Sequence, residues 1–491
     1  FRVDHEMGDE AYELPWLRYL LIFGRSPPAL TKGQWRVILL LSGCGFFSAY
    51  DSMIFTLALP QIQRDLGISD DATSFLGSCI ATGPLLGIPL LMGADRFGRR
   101  AVLLMTVAPY SVLTGLTAMS RGPVEFGTLQ FFARVFLSVE VLVSQVVIVE
   151  EMPSHCRGWA VGVTSVCSCW GSGLAILIFG FVGDTPWGWR LLYALSVVPL
   201  VFLSYFRRFL PETQRFVAQV AGPVEPKVIG AKVEMKNLLQ DSGVPDPPEP
   251  PAENGVSVVP APAEQSGAHA CSGTLQPVFD LFSHSKWMAS AALLLATVDS
   301  FAMGAHALYD FKYLQTQHGF AAKHVSMLGI LGGLLAMGMY ALAGELSDRI
   351  GRRTLLAVFY TLHAGITVAY YLVPPGVVGA KVVIVLWTLR VAVGMGTGTL
   401  VTTLGSEVFP TAHRATAQSL GQVGASIGKP AGILTEGLLA PVIGGHWNAT
   451  AFTMCFQFFV GLIVMKGFPE TAGKELEDIG WTSAPTHEAK E

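Results

Sequence analysis

The chain has 491 residues, of which 51% are apolar and only 14% are charged, and its mean hydropathy is +0.48. Soluble proteins carry about 25% charged residues, so this one has too few to coat a water-facing surface and is read as a membrane protein. The net charge of −4 leaves no basic excess for nucleic acid, and the seven cysteines show neither metal-ligand spacing nor a disulfide framework, so no metal and no cofactor are expected.

A helix needs about 20 mostly apolar residues to cross the hydrocarbon core. Twelve such runs follow one another near 36–60, 72–94, 101–119, 126–149, 159–183, 190–210, 287–311, 325–346, 354–374, 380–405, 416–443 and 449–468. A polar tail over 1–35 precedes the first run and no small-residue cleavage site follows it, so this run is expected to be a span rather than a removable signal. An even number of spans puts both ends on one side. The ends and the loops after even-numbered spans hold about 23 Lys/Arg, against about six in the other loops (Arg64, Arg121, Arg190, Lys312, Lys323, Lys381), so the positive-inside rule makes both termini cytoplasmic. Residues 36–210 and 287–468 are thus expected to form two six-helix halves. The segment 211–286 joins them as a cytoplasmic linker that is largely disordered, being dense in Pro, Glu and Ala around 244–265, and 469–491 is a cytoplasmic tail.

The halves repeat each other. ADRFGRRAVLL (94–104) returns as SDRIGRRTLL (347–356), and Arg134, Glu151, Pro153 and Arg157 match Arg390, Glu407, Pro410 and Arg414 at offsets of about 256. Pro-Glu-Thr at 211–213 returns at 469–471. The charges Asp95, Arg96, Arg99, Arg100, Glu151 and Arg157, with Asp348, Arg349, Arg352, Arg353, Glu407 and Arg414, all fall at helix ends on one face of the membrane. They read as a cytoplasmic gate whose ion pairs form between the halves on closure and break on opening.

Two tandem six-span repeats, a D-R-x-G-R-R loop in each and a long hinge resemble the major facilitator superfamily of secondary transporters over nearly all of 36–479. The resemblance implies an all-α membrane fold of twelve transmembrane helices whose halves rock about a midplane substrate site.

Charges within spans cost roughly 2.5–3.5 kcal/mol each on insertion scales and are functional candidates by default. They are Asp51, Arg134, Glu140, Asp299, Asp310, Arg390, Lys429 and Glu436, with His306 beside them. Asp299, His306 and Asp310 share one face of span 7, while Gln418, Gln422, Lys429 and Glu436 share one face of span 11, so two polar stripes imply a wet central cavity. Asp310, near the outer end of its span, reads as an exposed helix-end charge. Lys429 is expected to find Asp299 or Glu436 as its partner in the empty protein, or an anionic substrate in the loaded one.

Within the superfamily, G-F-F-S-A-Y-D (45–51), Asp299 with Gly304, E-V-F-P-T-A-H-R-A-T-A (407–417) and Gly428-Lys429 resemble the phosphate:proton symporters. Glu140, Ser144 and Glu150 keep that family's spacing on span 4. By this resemblance Asp51 and Glu140 are proton-path carboxylates, Asp299 a proton and substrate residue, and Lys429 the cation facing substrate. That family's span 4 signature G-D-Y-P-L-S is absent, and Gly398 stands where it has asparagine. The PETAGKELEDI tail (469–479) resembles the sugar porters, but span 7 lacks the paired glutamines of a hexose site. The expectation is therefore a monomeric secondary transporter, not an enzyme, whose partners are the bilayer, protons and a small anion such as an organic acid or phosphate. A sugar or polyol porter, and a sensor that binds without transporting, remain alternatives.

Overall fold

The computed structural model describes residues 30–153, 156–207, 276–284, 286–409 and 414–471, leaving aside some side chains inside these segments. The N-terminal half holds α1 (Lys32–Leu57), short α2 (Leu59–Leu66), α3 (Asp70–Phe97), α4 (Arg99–Thr117), α5 (Pro123–Glu151), α6 (Arg157–Val182) and α7 (Gly188–Arg207). The C-terminal half holds α8 (Gln276–His284), α9 (Lys286–Thr316), α10 (Ala322–Ile350), α11 (Arg352–Tyr371), α12 (Val377–Val408), α13 (Arg414–Leu439), α14 (His446–Met454) and α15 (Gln457–Gly467). Among the described residues ten helical stretches are long and apolar enough to cross a membrane. The first ten apolar runs each coincide with one helix. The eleventh lies on α13, shortened to Leu439. The twelfth is divided at Cys455 and Phe456 into α14 and α15.

Local chemistry explains the boundaries. Thr31 opens α1 with a capping box: its hydroxyl accepts from the Gln34 N–H at 3.3 Å, and the Gln34 side chain returns the bond to Thr31 N–H at 3.0 Å. Ser69 caps α3 through the Ala72 N–H at 3.3 Å. In both copies of the D-R-x-G-R-R loop the glycine breaks the chain between two helices at positive φ, 95° at Gly98 and 107° at Gly351. A side chain at either position would be strained, so the repeated glycine marks a repeated corner.

Packing follows the repeat. In the N-terminal half α3 and α4 lie on α5, and α1 lies on α6; in the C-terminal half α10 and α11 lie on α12, and α9 lies on α13. The last pair approaches closely because a Cβ at Gly432 would land on the Phe301 carbonyl. The halves meet where α3 packs on α13 and α6 on α10.

One apolar core unites both halves, with Tyr50, Phe126, Trp189 and Tyr193 from one and Tyr309, Tyr313, Tyr370 and Trp387 from the other. Three further cores belong to single halves, the larger ones around Trp35, Val143 and Ile148 and around Leu355, Leu404 and Val464, the smallest around Tyr110 and Leu137. The shared core lies toward the end opposite the D-R-x-G-R-R loops, and the private cores lie toward the loops. The molecule is thus joined at the far end by one core, while toward the basic end each half keeps a core of its own. The expected disordered linker, the first Pro-Glu-Thr (211–213), the tail beyond Thr471 and the polar tail 1–29 lie outside the described residues; α8 occupies the last part of the expected linker.

Candidate transport site

The far end is sealed by polar bonds between the halves. Lys312 on α9 is 4% exposed and pairs with Asp70 at the start of α3. Gln61 Nε2 donates to Gln315 Oε1 at 2.8 Å, and Gln315 donates to the Leu57 carbonyl at 2.8 Å. Glu436, fully buried on α13, accepts from Ser74 of α3 at 2.9 Å and contacts His446 Nδ1 at 2.7 Å. Ser78 of α3 donates to the Pro430 carbonyl at 2.9 Å, next to Lys429. Lys312 is therefore not the loop charge its sequence position suggests: α9 runs on to Thr316 and buries it in the seam. Beyond the spans, burial pushes the His318 imidazole below its ordinary value.

At the basic end the described ion pairs stay within each half. Arg99 pairs with Glu150 at 3.2 Å and Arg352 pairs with Glu407. Glu470 accepts from the Arg352 and Arg353 N–H groups at 2.7 and 3.4 Å, capping α11 with a carboxylate, and Thr471 donates to Glu407 at 2.7 Å. Arg352 also reaches Asp348 at 3.1 Å, and Arg349 reaches Glu345 at 2.5 Å. Glu150, the neighbour of Glu151, pairs with Arg99 as Glu407 pairs with Arg352. The side chains of Asp95, Arg96, Arg157 and Arg414 lie outside the described residues.

Between the two ends the candidates fall into three groups. In the N-terminal half Asp51 is fully buried on α1, with Oδ2 3.9 Å from Arg134 of α5. Neither carboxylate oxygen is in hydrogen-bonding geometry with a donor among the described residues. Arg134 instead donates to Ser52 at 2.6 Å. Glu140, 1% exposed, is two turns further along α5.

In the C-terminal half Arg390 on α12 donates to Asp310 at 2.8 Å and to His306 Nε2. An arginine only donates, so Nε2 accepts and the His306 proton sits on Nδ1, 2.8 Å from the Tyr371 hydroxyl. Trp387 adds an N–H bond to Asp310 at 3.2 Å. Asp310 is consequently no exposed helix-end charge: it is 8% exposed and is the counter-ion of Arg390. Asp299 accepts from Gln457 of α15 at 3.0 Å, and Gln457 contacts His363 at 2.7 Å. Sequence reasoning missed Gln457 and His363, although polar residues mid-span were the available signal; Ser74, Tyr309 and His446 carried none.

The third group is the α13 face. Gln418, Gln422 and Lys429 are exposed. Lys429 forms no ion pair among the described residues. Asp299 is engaged by Gln457, and Glu436 lies in the far seal, so neither expected acid reaches it.

A family model described as "Major Facilitator Superfamily" matches residues 41–433. The cis,cis-muconate transport protein of Acinetobacter baylyi is 23% identical over 84% of this chain and 88% of its own length. The myo-inositol transporter 3C of Cryptococcus neoformans is 29% identical over 35% of this chain, but this chain spans only 30% of that relative's length. Among solved structures, the inward-open xylose transporter of E. coli superposes with a TM-score of 0.65 at 18% identity, over 91% of this chain and 99% of that one. The family match covers most of a helical chain already seen to be two like halves around a charged interior, and the protein belongs to the major facilitator superfamily, as a multi-pass membrane protein.

Proposed function

We propose that the protein is a proton-coupled secondary transporter that moves a small organic anion across the cell membrane by alternating access. All twelve apolar runs span, both termini are cytoplasmic, and the basic end opens to the cytoplasm, so the far seal faces outward. One observation carries the anion reading: Lys429, an exposed mid-span cation on α13, forms no ion pair among the described residues, while Arg134 of the other half donates to Ser52 and stands 3.9 Å from Asp51. A mid-span cation without a counter-charge is costly, and an anion held by both cations supplies it. Because the two cations belong to different halves, the anion also favours closure around itself. That is the differential binding a population shift needs. The muconate relative is named for an organic acid, which fits the same charge.

Asp51 supplies the proton site. A substrate that draws Arg134 away leaves a buried carboxylate without the cation beside it, and such a group takes up a proton. Substrate and proton are then carried together.

Counterflow in proteoliposomes tests the reading. Lys429→Ala is expected to abolish exchange of benzoate or muconate while the protein stays folded and inserted, and Lys429→Arg to rescue poorly, since a planar fork does not replace a compact point charge. Normal exchange by Lys429→Ala, or preference for a neutral sugar, overturns the anion. Binding without counterflow makes the protein a sensor.

A further inference from the structure

The far seal contains a polar chain that crosses between the halves three times. Ser74 of α3 has one hydroxyl proton and gives it to Glu436 of α13 at 2.9 Å, so the Tyr309 hydroxyl of α9, 2.6 Å from Ser74, is the donor in that contact. Glu436 also meets His446 Nδ1 at 2.7 Å, and His446 Nε2 stands 3.5 Å from Asp71 Oδ1 on α3. The crossings are Tyr309 to Ser74, Ser74 to Glu436, and His446 to Asp71. The first two rest on hydroxyl protons. Only the third rests on an imidazole, the side chain whose ordinary charge change falls between pH 5 and 8.

An imidazole between two carboxylates donates to both only as the imidazolium, because the neutral ring carries one N–H. Glu436 is fully buried and needs that hydrogen, whereas the Asp71 side chain is 80% exposed and has water in its place. With the single proton on Nδ1, Nε2 turns a lone pair toward the Asp71 carboxylate and the third crossing is lost. The surroundings leave this choice to Asp71. α14 packs on α9, α11 and α13. From α9, Tyr309 lies with its ring 5.9 Å from the imidazole and Lys312 reaches over Tyr309. From α11, Tyr371 stacks on the adjacent Trp447, and from α13 comes Glu436. On α3, Asp70 is already held by Lys312 and by Gln63 at 2.9 Å, so Asp71 is the acid open to Nε2.

We propose that His446 is a proton-operated latch on the far door: as the imidazolium it ties α14 of one half to α3 of the other, and as the neutral ring it lets go. The proposal rests on the reading that this end opens and faces outward, and it adds to Asp51 a second proton site, one that acts on the door rather than on the substrate. The tie is complete at low pH and is lost as pH rises, so acid outside holds the far end shut.

The test is the rate at which a water-soluble maleimide labels Gln61→Cys, a position at the seam, in the full chain in nanodiscs, read on the labelled peptide by mass spectrometry. Each variant is compared with the unsubstituted background at the same pH, so that ionisation of the thiol cancels. His446→Asn keeps an amide donor for Glu436 but is too short to reach Asp71. At pH 5.5 His446→Asn and Asp71→Ala are each expected to raise the rate about two- to fivefold, the scale of a tie to an exposed acid. At pH 9, where the latch has already let go, neither should raise it. Asp71→Ala alters an exposed side chain and keeps the test readable where His446→Asn fails to fold. The same pattern should persist with Asp51→Asn, which removes the other proton site. No rise at pH 5.5, an equal rise at both pH values, or a pattern that vanishes with Asp51→Asn overturns the latch. No substrate is present, so each of these outcomes leaves the anion reading standing; that reading fails separately, through normal counterflow by Lys429→Ala.

Discussion

Arg134 and Arg390 occupy the same place in two copies of one six-helix unit, about 256 residues apart, yet they are held differently. Arg390 is 4% exposed and is bound by Asp310, His306 and the faces of Tyr370 and Trp387. Arg134 has Ser52 and a carboxylate 3.9 Å away that no hydrogen bond fixes. The residue matching Asp51 at about the same offset is His306, and the acid of the second half stands one turn further along α9, at Asp310. Both halves kept the cation, but its counter-charge sits in different places. One half therefore holds its arginine rigidly as part of a packed aromatic core, and the other holds it loosely. Only a loosely held charge can be exchanged for a ligand's.

The largest effect that bears on this contrast is on stability. Arg390→Met strands Asp310 among aromatic rings, and breaking a buried pair by removing one partner costs about 3–5 kcal/mol, so a large drop in melting temperature in detergent is expected. Arg134→Met should cost less than half as much, because Arg134 stands 3.9 Å from Asp51 rather than in a tight pair, and Asp51 can take a proton in compensation. Transport should nevertheless be lost. Equal destabilisation by the two substitutions breaks the comparison.

Coupling is the next test. If Asp51 must be protonated for the halves to close around substrate, wild-type uptake rises as external pH falls and collapses with a protonophore. Asp51→Asn, fixed in the neutral form, should still exchange substrate but lose uphill accumulation and most of the pH dependence. Asp310→Asn should instead act through stability, leaving the pH profile of whatever folds unchanged. Uptake profiles from pH 5.5 to 8 separate the two.

How much of this was readable beforehand depends on whether the cause was local. The apolar runs, the two positive-φ corners and the duplication are matters of periodicity and turn chemistry, and the helices match them within a few residues. The candidate charges were also legible, since charge within an apolar run is conspicuous. Their partners were not. Lys429 was given Asp299 or Glu436 because they lie nearby on span 7 and on its own helix, whereas Gln457 takes the first and Ser74 with His446 the second. Each of those bonds joins residues on different helices or across a turn. Asp310 and Lys312 looked peripheral because the length of α9 cannot be read from hydropathy alone.

The seal at the far end offers a smaller effect on the same contrast, since it joins the half that holds Arg134 to the half that holds Arg390. Lys312→Met removes an inter-half ion pair whose acid, Asp70, is half exposed. The loss is therefore modest, about 1 kcal/mol, or a several-fold shift toward the state open at the far end. A cysteine introduced as Gln61→Cys should react faster with an external thiol reagent in the Lys312→Met background. No change in rate means the apolar core alone keeps this end shut.

The smallest expected effect concerns the basic end, where the halves do copy each other. Arg99 with Glu150 and Arg352 with Glu407 are matched pairs, each linking the loop between the second and third long helices of its half to the end of the fifth helix's predecessor, α5 or α12. Their side chains are 10–19% exposed, whereas Arg349 and Glu345 are 73% and 64% exposed. Glu150→Gln and Glu407→Gln should each lower stability by up to about 1 kcal/mol, in like amount. Glu345→Gln breaks an exposed pair at spacing i,i+4, worth only about 0.3–0.5 kcal/mol, and should be indistinguishable from wild type in a thermal melt. Because the matched pairs lie within their own halves, they can persist while the halves rock, so neither substitution should alter the external reactivity of Gln61→Cys. A change in that reactivity would show that these charges also meet across the cleft when the basic end closes.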